Sequence, residues 1–171
     1  MKSFKQHNAN NNTDLAKILN LALANEWITI FQYDNDGMNA DNLDVRREFI
    51  QHAREESSHV LSLEKIMLNL SIAITITPET VFKFSSEKFE KRNNVDNKML
   101  KSNLSAEHRA VKLYANILQD YEFSENNRHL LQLILDKELE LIILSDQLPV
   151  VGLVSRYLTN YLMGYRFILW R

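Results

Sequence analysis

Apolar side chains recur every three or four residues in four long segments of this chain. In the first segment this pattern is made by Leu15, Leu19, Ala22, Leu23, Ile30 and Tyr33. Such spacing places the side chains on one face of a helix. The pattern predicts helices from Thr13 or Asp14 to about Asp36-Gly37, from Asp41 or Asn42 to the change of pattern at Ser71, from Val95 to Tyr121, and from Glu125 to Leu148.

Residues 71 to 94, between the second and third predicted helices, lack a helical pattern. Ile72, Ile74 and Ile76 alternate with small or polar residues, and Pro78 follows them. We interpret this stretch as a long crossover, which lets the helices on either side of it run parallel. Two long helices, a crossover and two more long helices predict an all-α four-helix bundle over residues 13–148.

The two ends of the chain differ from the predicted bundle. Residues 1–12 are polar and rich in asparagine, and we expect a polar tail there. Residues 149–171 are rich in tyrosine and leucine and include three arginines. We expect a fifth helix that docks on the bundle or in an oligomer contact, with a helix lying on a membrane surface as the alternative.

Composition narrows the function classes. The chain has 171 residues, of which 45% are hydrophobic and 25% charged, and this suits one globular domain. A net charge of -2 without a basic stripe gives no support for nucleic-acid binding. The lack of cysteine excludes disulfides, thiol catalysis and iron–sulfur ligation, and it agrees with a cytoplasmic protein.

Three acidic residues interrupt apolar stripes. Glu56 and His59 are three residues apart in the second helix and therefore share a face. Glu26 and Glu107 lie in the apolar stripes of the first and third helices. Buried carboxylates require partners, and a metal ion is one common partner. The spacing therefore predicts a metal site between the helices.

These segments resemble the bacterioferritins and their rubrerythrin-like relatives in the ferritin-like superfamily. The similarity is carried by residues 19–33, 56–66, 99–107 and 134–148. It implies a ferritin-like bundle with a ferroxidase-type di-iron centre. In that centre Glu26 and His59 would hold one metal, Glu56 and Glu107 would bridge or ligate, and Tyr33 would lie nearby.

The fourth helix departs from the family pattern. In the register set by Asp136 and by residues 144–148, the expected second acid falls on Lys137 and the expected second histidine on Glu140. We expect Glu140 to be a substitute ligand and Lys137 to disfavour the second metal by charge repulsion. If the register of the fourth helix is shifted by one residue, Glu138 faces the centre instead. The apolar pattern cannot decide between the two registers, because two stripes of this helix are apolar.

The resemblance implies iron as the cofactor, with manganese or zinc as alternatives suited to the same ligands. It implies oxidation of Fe(II) and a place in iron homeostasis, with activity impaired by the altered fourth helix. Haem is not expected, because Ser57 occupies the position of the methionine that binds haem in bacterioferritins. His52 and Tyr114 are expected to be hydrogen-bonded residues of the core beside the site.

The first helix has a second apolar side. It is formed by Leu21, Ile28 and Phe31, with Trp27 nearby. Contact with the crossover or with the C-terminal segment would explain it, but we favour a homodimer face and therefore expect a homo-oligomer, a dimer or larger.

Two other functions remain open. One is a non-catalytic oligomeric or interaction protein in which Lys137 pairs with the carboxylates of a metal-free core. The other is a membrane-associated di-iron-type hydroxylase, suggested by residues 149–171 alone.

Overall fold

The computed structural model describes residues 2–92 and 97–147. These residues form five helices and no strand, which confirms the all-α prediction. The helices are α1 (Lys2–Asn39), α2 (Leu43–Asn69), the single-turn α3 (Val81–Phe84), α4 (Asn97–Asp120) and α5 (Glu125–Gln147). The four long helices are those expected from the apolar pattern, and α3 lies within the crossover.

The start of α1 differs from the prediction. The helix begins at Lys2 rather than near Thr13, so the residues expected to form a polar tail are its first turns. Residues 2–12 contain neither proline nor glycine, and nothing in them interrupts a helix. The start of α2 agrees with the prediction, because the Asn42 side chain caps it by accepting a hydrogen bond from the Asp44 backbone amide at 2.8 Å.

Side-chain contacts fix the directions of the helices. Tyr33 contacts Glu107, and Glu26, which precedes Tyr33 in α1, contacts Tyr114, which follows Glu107 in α4, so these helices are antiparallel. Asn69 at the end of α2 donates to Asn127 at the start of α5. Helix α1 is also antiparallel to α2, since a short turn joins them. Helices α2 and α4 therefore run parallel, as the long crossover predicts.

One continuous apolar core joins the four long helices. Its fully buried side chains include Leu19, Leu23, Leu63, Ile66, Met67, Tyr114, Ile117, Leu131, Ile134 and Leu135. These residues recur at helical spacing in α1, α2, α4 and α5, so each long helix contributes one face. The polar cluster described below interrupts this core.

The crossover packs along α1 and covers part of the face that we expected to form a homodimer. Ile28 is buried against Val81 and Ile76 of the crossover, and Phe31 stacks on Phe82 with ring centroids 6.2 Å apart. Trp27 and Phe31 keep 36% and 38% of their surface exposed. The crossover therefore occupies the middle of this face and leaves an aromatic edge open.

Side-chain amides of α1 attach the crossover backbone. Gln32 accepts from the Glu90 amide at 2.8 Å and donates to the Glu90 carbonyl at 3.1 Å. Asn20 makes the corresponding pair, accepting from the Thr75 amide at 2.8 Å and donating to the Ala73 carbonyl at 3.1 Å. Irregular backbone needs partners for its polar groups, and these amides supply them.

The C-terminal segment 149–171, expected to form a fifth helix, lies outside the described residues. Within the described ranges, none of the helices combines the length and apolar character that crossing a membrane requires.

Candidate metal centre

Four glutamates from four different helices meet inside the bundle. They are Glu26 of α1, Glu56 of α2, Glu107 of α4 and Glu138 of α5, and we call them the carboxylate cluster. Their exposed fractions lie between 0% and 4%. Each interrupts the apolar stripe of its helix, so helix packing alone carries all four carboxylates into the core.

His59 contacts three members of the carboxylate cluster. Its Nδ1 lies 2.9 Å from Glu56 Oε2, 3.0 Å from Glu138 Oε1 and 3.7 Å from Glu26 Oε2. Glu26, Glu56, His59 and Glu138 each offer one ligand atom, and these four atoms lie within 4.8 Å of one another. Three oxygens and one nitrogen around a common point form a donor set for a divalent cation.

Two tyrosines donate hydrogen bonds to members of the carboxylate cluster. The Tyr33 hydroxyl of α1 donates to Glu107 of α4, and the Tyr114 hydroxyl of α4 donates to Glu26 of α1. Burial raises the pKa of both tyrosines, and the nearby glutamate charges raise it further. Both hydroxyls therefore stay protonated and act as donors that orient the two carboxylates.

The pKa shifts of the cluster's glutamates differ in direction. Burial raises the pKa of Glu56 and Glu107, and the charge of Glu138 raises both further. Burial also opposes ionisation of Glu26, but hydrogen bonds with Glu56, His59 and Tyr114 outweigh it and lower the pKa. Without a cation, the site therefore holds protons on some of its carboxylates.

The charge of His59 depends on the same contacts. Burial opposes the imidazolium, but the nearby carboxylates of Glu138, Glu26 and Glu56 outweigh it and raise the pKa of His59 far above its ordinary value. The imidazolium is the single basic side chain that reaches ion-pair distance of the carboxylate cluster in the described part of the chain. One positive charge balances one carboxylate, so protons compensate others when no cation is bound.

Several atoms at the centre have no hydrogen-bond partner. They are Glu56 Oε1, His59 Nε2 and both carboxylate oxygens of Glu138. Glu138 Oε1 lies at ion-pair distance from His59, but the single Nδ1 hydrogen of the ring is directed to Glu56. Leaving buried polar atoms unpaired costs about 1–3 kcal/mol for each group. Such atoms are therefore typical of a site that binds a ligand.

The structure corrects the predicted register of the fourth helix. Lys137 is half-exposed, and its Nζ donates to Glu140 Oε2 at 2.6 Å, so both residues face solvent. Glu138, the residue offered by the one-residue slip, is fully buried in the cluster instead. Lys137 therefore neither repels a metal nor neutralises the core, and Glu140 lies away from the centre.

Only one of the two buried glutamates on α2 and α5 is followed by a histidine at the spacing of a Glu-x-x-His pair. Glu56 of α2 is followed three residues later by His59, whereas Glu138 of α5 is followed three residues later by Leu141, which is 1% exposed. Bundles with two metals use two glutamates and two Glu-x-x-His pairs. Here Glu26 and Glu107 are the two single glutamates, and Glu56 with His59 is the complete pair. In the second pair, Leu141 takes the place of the histidine.

His52 lies one turn before Glu56 and packs on Tyr33. The two rings meet edge to face with centroids 5.1 Å apart. His52 is buried, its Nδ1 has no hydrogen-bond partner, and its Nε2 lies 3.9 Å from Glu48. It contacts Tyr33 as a residue beside the site, but it is not the fully hydrogen-bonded histidine that we expected.

Comparisons with known proteins support the fold. The structure is similar to a dodecameric, bacterioferritin-related thioferritin from Bacteroides fragilis, with a TM-score of 0.74, 23% identity, and coverage of 88% of this chain and 92% of that one. It is also similar to a DPS protein from Vibrio cholerae O1, described as a ferritin-like diiron-carboxylate protein, with a TM-score of 0.71, 14% identity, and coverage of 79% and 88%. No protein-family model and no curated protein matches the sequence. The chain has the ferritin-like fold, as the resemblance noted from its sequence implied.

Proposed function

We propose that this ferritin-like bundle binds iron at the carboxylate cluster and His59. The observation that carries the proposal is the convergence of four buried carboxyl groups in a core that has one basic side chain, His59, among them. Moving an ionised carboxylate out of water costs several kcal/mol unless a cation or a proton compensates it. A divalent cation supplies that compensation, and the diiron description of a structural neighbour favours iron.

The residues present fit such an ion. Glu56 and Glu138 carry buried oxygens without hydrogen-bond partners, and both residues offer a ligand atom within 4.8 Å of ligand atoms of Glu26 and His59. A cavity of about 10 Å³ lies against Glu26, Glu56, Glu107 and Glu138. This volume corresponds to roughly one water-sized sphere. The cluster therefore has carboxylate oxygens and space for about one ion, and His59 would release a ring proton to become a ligand.

The two ends of the centre differ in their ligands. Glu26, Glu56, His59 and Glu138 form one complete set with a nitrogen donor. At the other end, Glu107 is held by Tyr33, and Leu141 stands where a second histidine would complete a di-iron site. We infer one strong metal position and a second position that lacks its nitrogen ligand.

Bound iron would supply the electrons that reduce dioxygen or peroxide. The protein contributes the placement of its own groups: Tyr114 orients Glu26, Tyr33 orients Glu107, and the apolar core excludes water. Loss of one nitrogen ligand makes the second ion weak, so two-electron chemistry is slow. The function is therefore iron binding with an impaired ferroxidase-type reaction.

Anaerobic titration with Fe(II) tests this proposal. We expect about one tightly bound iron per native chain, and about two in Leu141→His, because the substitution restores a nitrogen ligand to the second position. Lys137→Glu is the control, since this residue faces solvent and should leave the stoichiometry unchanged. Circular dichroism verifies that each variant is folded.

Two outcomes would contradict the proposal. No iron bound to the native protein would leave a bundle whose core is neutralised by protons. Two tight irons in the native protein, with no gain in Leu141→His, would mean that the missing histidine does not limit the second position. Oxygen consumption during aerobic Fe(II) addition then measures the ferroxidase reaction itself.

The two alternative functions have less support. A non-catalytic bundle neutralised by Lys137 conflicts with the contact between Lys137 and Glu140 at the surface. A membrane-associated hydroxylase depends on residues 149–171, which lie outside the described ranges.

We also propose that the protein self-associates. The neighbouring thioferritin is dodecameric, and this chain exposes an aromatic edge made by Trp27, Phe31 and Phe82. These three residues are 36%, 38% and 57% exposed. Contiguous exposed aromatic side chains are typical of protein interfaces.

A further inference from the structure

A polar cavity of about 250 Å³ lies between α1, α4 and the crossover. We call it the outer cavity, and its walls include Gln32, Tyr33, Arg92 and Arg109. The small cavity against the carboxylate cluster, the inner cavity, lies deeper in the bundle. Three residues, Thr29, Glu87 and Ala106, line both cavities, so the two spaces adjoin.

Glu87 is the acidic residue at this junction. It belongs to the crossover, and its side chain is 11% exposed. The backbone before it is fixed because Asn25 of α1 accepts from the Ser86 amide at 2.9 Å. The Ser85 hydroxyl accepts from the Glu87 amide at 2.9 Å. The carboxylate therefore stands at a defined place between the outer cavity and the metal centre.

Arg109 neutralises Glu87 from the solvent side. Its Nε donates to Glu87 Oε1 at 2.7 Å and its Nη2 to Oε2 at 2.6 Å, so both carboxylate oxygens are occupied. The guanidinium is 54% exposed and also donates to Ser105 at 2.8 Å. The Arg109 side of this pair is half-exposed, so solvent screens part of its attraction to Glu87 and a divalent cation can compete for the carboxylate.

We propose that Glu87 is the access ligand of the metal centre, where a divalent cation replaces Arg109 before it passes to the carboxylate cluster. This inference rests on the proposed metal binding and assigns a route and a residue to it. At equal distance a divalent ion attracts the carboxylate twice as strongly as the guanidinium does. Thr29 and Ala106 are small, and they form the rest of the passage at this point.

The rate of Co(II) binding tests this route. Co(II) is stable in air, takes the same oxygen and nitrogen ligands, and reports on binding by its visible absorption. Glu87→Gln should slow binding about tenfold, because it removes the charge that attracts the ion at the passage. A passage changes the association and dissociation rates by the same factor, so the final stoichiometry and Kd should not change.

Glu90→Gln is the matched control. Glu90 lines the outer cavity and pairs with Arg92, but it does not line the inner cavity. The same charge is removed from the same crossover, yet we expect the binding rate to change less than about twofold. Arg109→Gln should raise the rate, because it leaves Glu87 free for the ion.

A thiol at the junction gives an independent test. The chain has no cysteine, so Ala106→Cys introduces its single thiol. Modification with a bulky methanethiosulfonate should block Co(II) binding, and reduction of the label should restore it. This experiment does not depend on the charge of Glu87.

The outcomes separate this inference from the proposed function. Absence of Co(II) binding to the native protein at equilibrium would overturn the proposed function. Normal binding with equal rates in Glu87→Gln and Glu90→Gln, and no block by the label in Ala106→Cys, would overturn the route alone. A lower stoichiometry in Glu87→Gln would also overturn it, since Glu87 would then belong to the equilibrium site.

Discussion

At the scale of single residues, charge controls the behaviour of the centre. Glu138 carries two buried oxygens without hydrogen-bond partners and adds a fourth carboxylate to a site with one imidazolium. The Glu138 carboxylate therefore lowers the stability of the metal-free core and strengthens the binding of a metal ion. Stability and metal binding therefore oppose each other at this position.

Glu138→Gln should separate the two effects. In the presence of a chelator we expect the free energy of unfolding to rise by about 1–2 kcal/mol, because one buried charge is removed. Added Co(II) should no longer raise the melting temperature, because a ligand is lost. Urea unfolding and thermal melts, each with and without Co(II), measure both effects.

The neighbouring Glu140→Gln provides the control for this experiment. Glu140 is exposed and pairs with Lys137, so its loss should change the free energy of unfolding by less than about 1 kcal/mol. A metal-free Glu138→Gln protein less stable than Glu140→Gln would show that the Glu138 charge is already compensated.

His52 should make stability depend on pH. Burial lowers its pKa below the ordinary value of 6.5, although Glu55 and Glu48 on the same helix oppose this, and Tyr33 of α1 is the ring that faces it. Below pH 6.5 the unfolded chain binds a proton that the folded chain does not. The contribution of His52 to stability should therefore fall with decreasing pH, by up to about 1.4 kcal/mol per pH unit, until the lowered pKa is reached.

The comparison of His52→Gln with His129→Gln isolates this effect. His129 is exposed, so the second variant removes a histidine without changing the core. Urea unfolding between pH 7.5 and pH 5.5, measured with a chelator present, should show a gain in stability relative to the native protein at the lower pH for His52→Gln only, on the scale of about 1 kcal/mol. Parallel profiles for both variants would contradict the role of His52.

The residue scale also shows where sequence reasoning failed. Glu26, Glu56, His59 and Glu107 could be recognised because each interrupts a clear apolar stripe. In α5 the buried residues Leu131, Ile134, Leu135, Leu141 and Ile142 cover more than one face. Periodicity could not choose between Lys137 and Glu138 there, and the contacts of Glu138 with His59 decide it.

At the scale of elements, the crossover is attached to α1 by hydrogen bonds from side-chain amides. Gln32 is 7% exposed and joins the crossover backbone at Glu90 to the buried Asp36, to which it donates at 2.8 Å. Arg92 and Asn103 also donate to Asp36, each at 3.0 Å. The end of the crossover is thus fixed by one polar network.

Gln32→Glu should weaken this attachment. The isosteric change replaces a donor with a carboxylate oxygen that faces Asp36 and the Glu90 carbonyl. We expect the free energy of unfolding to fall by about 2–3 kcal/mol, since two donated hydrogen bonds are lost in a buried place. Urea unfolding measures the loss.

Gln51→Glu is the matched control for Gln32→Glu. Gln51 is exposed and donates to Glu55 one turn later at 2.8 Å, so the same atoms change beside another carboxylate. Its cost should stay below about 1 kcal/mol, because solvent screens the repulsion. Equal losses in both variants would mean that the amide of Gln32 does not hold the crossover.

The helices themselves were largely predictable, but the crossover contacts were not. Asn42 is a good capping residue and marks the start of α2 from sequence alone. Asn20 and Gln32 are ordinary polar residues of a helix, and their spacing does not show that an extended segment lies beside them. Only the path of the crossover gives them their role.

At the scale of the whole molecule, we predict that the aromatic edge drives self-association. Phe82→Glu should shift the protein to smaller assemblies in sedimentation experiments, because it places a charge beside Trp27 and Phe31. Leu61→Glu on α2 is the control, since Leu61 is 66% exposed and lies outside this edge. Equal behaviour of the two variants would place the interface elsewhere.

The antiparallel hairpins α1–α2 and α4–α5 contribute corresponding residues to the centre. Glu26 and Tyr33 are matched by Glu107 and Tyr114 at the same spacing, and Glu56 is matched by Glu138. The first hairpin therefore contains a full half-site, while the second has Leu141 in place of histidine. Two copies of the α1–α2 hairpin that associate symmetrically would bring two imidazoles to one centre. The α1–α2 hairpin would therefore be a better template than the whole chain for building a complete two-metal centre.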